Sequence, residues 1–244
     1  MKAAAEPKAA PRDTFGAYLT RFFTSSVGAK TLMAVTGLLL VIWILGHLVG
    51  NLLIFGGPDA TNNYAHGLKS LGVLLWVERF GLLAIFLVHV LVALRTKLWD
   101  RESRPVRYQV EASRAASFAS RTMLVTGLII LAFVLYHLAH FTLGWILPTE
   151  FAKPVAGSDD PLMLDVYSMV GAGFSHPGVS ILYGAAMVVL GIHVSHGISS
   201  LFQHLGLWGE RFAPWIRGAG YFLAVVIAVL FIVIPAAVLL GIVG

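Results

Sequence analysis

Long uncharged apolar runs alternate along the chain with short polar segments rich in Gly and Pro. A helix needs about 20 residues to cross roughly 30 Å of hydrocarbon. Four runs reach that length without a charge, over residues 31–55, 123–147, 179–202 and 219–243. A fifth, over 71–94, carries Glu78 and Arg79 near its start, but residues 80–94 are apolar and both charges can snorkel to the interface. The pattern predicts an all-α integral membrane protein, a bundle of five transmembrane helices. Residues 1–29 form an N-terminal segment and residues 30–244 the membrane domain. The segments containing Gly56-Gly57-Pro58-Asp59 and Pro148 through Pro177 read as ordered caps at one end of the bundle. No fixed period repeats along the chain, and no inverted symmetry of the kind that marks transporters stands out.

Composition removes several classes of function. Of 244 residues, 58% are hydrophobic and 12% charged, against about 25% charged in an ordinary soluble domain, so no sizeable soluble core remains. Without a single cysteine the chain has no disulfide, no Cys-ligated iron–sulfur cluster, no covalently attached haem and no thiol nucleophile. The net charge of +5 reports topology and contact with anionic lipid rather than nucleic acid. Fourteen of the seventeen Lys and Arg fall on one side: Lys2, Lys8, Arg12, Arg21 and Lys30, then Arg95, Lys97, Arg101, Arg104, Arg107, Arg114 and Arg121, then Arg211 and Arg217. Lys69, Arg79 and Lys153 fall on the other. The positive-inside rule therefore predicts a cytoplasmic N-terminus and an external C-terminus. The first residues lack the apolar core of a signal peptide, so the first helix is expected to be retained.

The histidines carry the chemistry. Of nine, His47, His89, His137, His193 and His196 lie inside apolar runs, with His140 just beyond His137. A charged group at that depth costs roughly 2.5–3.5 kcal/mol on the mild insertion scale, so each imidazole needs a partner or a function. One such His is simply explained by a helix–helix hydrogen bond; four at matched depths are not. With a rise of 1.5 Å per residue, His47 lies about 26 Å from the Lys30 end of its helix and His137 about 24 Å from the Arg121 end. His89 and His196 lie about 9 Å and about 10 Å from the same side of the membrane. Each pair suits a b-type haem held by one imidazole from each of two helices, and the two levels lie roughly 15 Å apart. His140 and His193 share faces with His137 and His196 but find less well matched partners in depth. For haem propionates, Lys30, Arg95 and Lys97 are the cationic candidates at the inner level, and Lys69 and Arg79 at the outer. Trp76, Trp99, Trp145, Trp208 and Trp215 read as an aromatic belt.

The same residues carry a family resemblance: Val35-Thr36-Gly37 through Leu45-Gly46-His47, Val88-His89-Val90 through Leu94-Arg95, Val125-Thr126-Gly127 through Tyr136-His137-Leu138, and Ser195-His196-Gly197 through Phe202-Gln203. In order and spacing they resemble the five-helix, di-haem cytochrome b subunit (b558 type) of succinate dehydrogenase and related succinate:quinone oxidoreductases, over about residues 25–243. The resemblance implies the axial ligands His47, His89, His137 and His196 and two haem b groups. It also implies a multi-pass place in the bacterial cytoplasmic (inner) membrane. A flavoprotein subunit with FAD and an iron–sulfur subunit would dock on the cytoplasmic face, the succinate-oxidising site lying on those partners. This chain would pass electrons to quinone, with menaquinone the expected substrate, and a higher oligomer of the complex is compatible. Proton-coupled relatives place a Glu two residues before the helix-four ligand, where Val194 stands. Candidates for a quinone site near the outer haem are Asn51, Asn63, Tyr64, His66 and His140. Two other readings stay open: the cytochrome b subunit of a membrane-bound hydrogenase or formate dehydrogenase, and a His-lined metal-ion transporter.

Overall fold

A computed structural model describes residues 14–103, 117–151 and 153–244. Of the charges used for topology, Lys2, Lys8, Arg12, Arg104, Arg107 and Arg114 lie outside the described residues. In chain order the helices are α1 (Phe15–Thr24), α2 (Ser26–Leu52), α3 (Gly57–Ser70), α4 (Val73–Glu102), α5 (Phe118–His137), α6 (Val166–Phe174), α7 (Pro177–His204) and α8 (Ala213–Leu239). A π turn over Leu138–Thr142 prolongs α5. Five helices are long and apolar enough to cross a membrane: α2, α4, α5 with its π turn, α7 and α8. The fold is all-α and multi-pass, and no strand forms among the described residues.

Local chemistry explains where the helices start. The side chains of Ser25, Ser117 and Asp165 accept the first free backbone N–H groups of α2, α5 and α6. Helices α3, α7 and α8 begin with Pro in the first turn, where the missing N–H would have had no partner. The spans outrun the apolar runs: α4 continues to Glu102, and α7 begins at Pro177. Such polar end turns lie where water or headgroups can solvate their side chains. Residues 57–70, read from sequence only as a cap, form a full helix.

Helix α7 is the hub. Its Ala186, Met187, Leu190 and Val194 pack with Ala224 and Ile227 of α8, and Val41, Ile44 and Leu45 of α2 and Ile130 and Phe133 of α5 close the cluster. Small residues let α7 and α8 approach: a Cβ on Gly191 would stand 3.2 Å from the Ala228 methyl, and one on Gly220 would stand 3.3 Å from Ile198. Helix α4 is peripheral. Its Val73, Leu74, Val77, Phe80 and Leu91 are exposed, as a lipid-facing surface requires.

Two polar ties secure the ends. The Arg95 guanidinium donates to the Phe23 and Thr24 carbonyls at 3.2 and 3.1 Å, closing the C-terminus of α1 against α4. At the opposite end Asn62 joins α3 to α6, donating to Asp165 Oδ1 at 3.2 Å and accepting from the Tyr167 N–H at 2.9 Å.

Because Ile227 is fully buried at the α7–α8 seam, Ile227→Ala should destabilise the bundle by roughly 2–5 kcal/mol. Phe222→Ala, on the exposed side of the same helix, should stay within about 0.5 kcal/mol. Thermal unfolding of the purified protein in detergent, monitored by helical circular dichroism, checks the contrast.

Candidate functional site

The intramembrane histidines form two tiers, each built between neighbouring helices. At the tier nearer α3 and α6, the His47 ring of α2 and the His137 ring of α5 lie 5.9 Å apart, centre to centre, at 81°. Trp43 stacks on His47 at 4.9 Å and 13°, and its indole N–H donates to the Glu78 carboxylate of α4. Glu78 lies within electrostatic reach of His47. Tyr183 of α7 places its hydroxyl 3.4 Å from His137 Nδ1 and 3.1 Å from His140 Nδ1.

At the other tier, His89 Nδ1 of α4 lies 3.1 Å from Thr36 Oγ1 of α2. His193 Nδ1 of α7 lies 3.1 Å from Thr126 Oγ1 of α5. Beside each threonine is a glycine that the imidazole overlies: a Cβ on Gly37 would come 3.2 Å from His89 Cε1, and one on Gly127 would come 3.4 Å from His193 Cε1. His193 lies within electrostatic reach of His89 and of His196. His196 lies toward the α7 C-terminal end, within reach of His204, which in turn senses Lys30. The contacts that mirror those of His89 thus belong to His193, not to His196.

A signal for His193 was present in the sequence. Val-Thr-Gly followed ten residues later by His occurs at 35–47 and again at 125–137. Val88-His89-Val90 matches Ile192-His193-Val194, whereas His196 has Ser and Gly as neighbours. His89 follows His47 by 42 residues but His193 follows His137 by 56, so a search for a fixed period passes over the repeat. Trp43, Glu78, Tyr183 and the two threonines also escaped the reading by depth, because nothing in a linear pattern says which helices face each other.

The remaining candidates are distributed as follows. Asn51 donates to the His47 carbonyl at 2.7 Å, one turn back. The Tyr64 ring lies over Gly50, where a Cβ would come 2.6 Å from Tyr64 Cε1. Asn63 lines an open cleft of about 230 Å³ with Asp59, Asn62 and residues 155–158. His140 is buried and stacked on Phe141 at 3.9 Å. His66 pairs with Asp160 at 2.8 Å. Arg79 lies over Trp76 at 5.0 Å, and Arg95 is committed to the end of α1 and to the Trp99 face at 4.1 Å. Lys30 stands near His204, whereas Lys69 and Lys97 lie near the two ends of the bundle, outside both tiers.

The donor set can be tested against the group it suggests. Two imidazoles that share one metal through bonds of about 2 Å put their ring centres about 6 Å apart, close to the 5.9 Å between His47 and His137. Among the described residues no three His, Asp or Glu side chains converge on a metal-sized site. A metal held here by two imidazoles needs its other ligands from elsewhere, as a haem macrocycle supplies.

Fold and site together define a class: a five-helix multi-pass membrane protein with two tiers of paired intramembrane histidines. No family model, no curated protein and no solved structure matches the chain.

The Leu162 N–H and then His66 hold the Asp160 carboxyl below the ordinary carboxylate range. Its lowered value means that the tie is complete above that range and is lost only as pH falls through the lower value. The protection of the Leu162 amide, taken relative to its intrinsic exchange rate at each pH, should therefore persist through the ordinary carboxylate range and be lost only below it. In Asp160→Ala that protection should be missing at every pH, as hydrogen-exchange mass spectrometry of residues 158–165 would register.

Proposed function

We propose that the chain is the membrane anchor and di-haem electron-transfer subunit of a succinate:quinone oxidoreductase, carrying electrons from an iron–sulfur partner to quinone. The observation that carries the electron-transfer part is the pair of histidine tiers, each drawing one imidazole from either of two helices. His47 and His137 would hold the outer haem b, and His89 the inner one, with His193 in the place expected for His196. Haem iron at the two levels would supply one-electron carriers toward opposite faces of the membrane. The protein holds the imidazoles and gives Nδ1 of His89, His193 and His137 a hydroxyl neighbour.

The assignment to succinate oxidation rests on the resemblance of the four ligand-bearing segments, and with it come the FAD-bearing and iron–sulfur partners. In this reading those partners dock on the cytoplasmic face, with the N-terminus on the same side and the chain in the bacterial cytoplasmic membrane; the distribution of Lys and Arg supports that orientation. The quinone, menaquinone in this reading, reacts near the outer tier, where Trp43, Glu78 and His140 bring hydrogen-bonding groups close to His47 and His137. A His-lined metal transporter would need three converging ligands, and the described residues offer none.

The test is a reduced-minus-oxidised spectrum with haem stoichiometry on the purified complex. Two haem b per chain are expected. His193→Ala should lose one and keep the other, His196→Ala should keep both, and loss of a haem in His196→Ala alone would restore the depth-based pairing. A flavoprotein that co-purifies supports the succinate assignment; a hydrogenase or molybdenum subunit in its place refutes it.

A further inference from the structure

The inner tier repeats, on each of its two sides, a detail that the depth of the histidines does not explain. Thr36 and Thr126 are buried, each sits mid-helix, and each meets an imidazole Nδ1 at the same 3.1 Å. A threonine hydroxyl has one hydrogen and two lone pairs. In Thr36 that hydrogen points back to the Leu32 and Met33 carbonyls, at 2.8 and 3.2 Å. In Thr126 it points to the Thr122 and Met123 carbonyls, both at 3.1 Å. With the hydrogen spent inside its own helix, each oxygen can face the neighbouring imidazole only as an acceptor. The proton of that imidazole is therefore on Nδ1, and the lone pair is on Nε2, turned away from the threonine. Gly37 and Gly127, next in sequence, keep the space that lets each ring lie this close.

We propose that Thr36 and Thr126 are paired positioning residues. Each fixes its neighbouring histidine, His89 and His193, as the Nδ1–H tautomer and presents Nε2 as the metal-binding nitrogen of the inner tier. The assignment of a haem to that tier rests on the function proposed above; the tautomer does not. The motif is duplicated: α2 with α4 and α5 with α7 each form a half in which Val-Thr-Gly on the first helix grips the histidine of the second. Each half also contributes an outer-tier histidine from its first helix, so each haem would be shared between halves.

Two measurements on the full chain separate this proposal from the haem assignment. The first is the ¹⁵N spectrum of histidine-labelled protein, which reports which ring nitrogen carries the proton. Two Nδ1–H imidazoles should change state in Thr36→Val and Thr126→Val, which keep the shape and lose the acceptor. They should be unchanged in Thr36→Ser and Thr126→Ser. The second is redox titration of the inner haem. An acceptor on Nδ1–H makes an imidazole a stronger donor to the metal, so Thr126→Val should raise the inner potential. Thr36→Val should raise it likewise, the serine variants should restore it, and the outer haem should stay where it was. A valine variant that leaves both the ¹⁵N signals and the inner potential unaltered overturns the proposal. So does a serine variant as damaged as the valine one, since the methyl packing would then be what matters. If the unaltered chain binds no haem, the ligand assignment fails, and the ¹⁵N comparison still decides the role of the threonines.

Discussion

Hydrocarbon offers no hydrogen-bond partner, and an imidazole carries two nitrogens that need one. That constraint governs the interior of this protein. Every histidine placed at membrane depth has to find its partner on another helix, or within a turn of itself. The solution at the inner tier is a threonine that has already spent its own hydrogen, with a glycine alongside so that the ring can approach the helix backbone. At the outer tier a tyrosine hydroxyl stands between two imidazoles and a tryptophan covers a third. Helix pairing follows from these contacts as much as from apolar packing, because α2 must face α4, and α5 must face α7, for the donors to be met.

The hub position of α7 decides which of its histidines faces α5. Residues 193 and 196 are three apart, hence about 60° apart around the helix. With α8 seated against Val194 and neighbouring residues, that rotation turns His193 toward α5 and sets His196 nearer His204 and the helix end. Depth along the membrane normal favours His196 by about 4.5 Å of rise, but azimuth decides which ring meets Thr126. The close approach at Gly191 and Gly220 holds that azimuth, since a larger residue at either point would push α8 away and let α7 rotate.

Several polar groups that look available in the sequence turn out to be structural. Arg95 closes α1 onto the bundle, and Asn51 bonds back to the carbonyl of His47. Tyr64 fills the space that Gly50 leaves open. Asn62, indistinguishable from Asn63 by pattern alone, is the side chain that joins α3 to α6. Beside them stands Glu78, an exposed carboxylate near the start of α4 that accepts from the tryptophan stacked on His47.

The uncharged runs of more than twenty residues determined the number of spanning helices. No other secondary structure satisfies the backbone over that length in lipid, and the rise per residue alone brought His47 level with His137. The segment 57–70 was harder to read, because its polar residues suit a cap or a helix equally until Pro58 and the contact with α6 settle it. The facing of His193 toward Thr126, the partnering of His89 with Thr36 and the tryptophan–glutamate contact were decided only by tertiary structure. Depth is a one-dimensional quantity that a sequence encodes directly through helix rise. Which side of a helix faces which neighbour depends on how small residues elsewhere let the helices close, and that is a property of the assembled bundle.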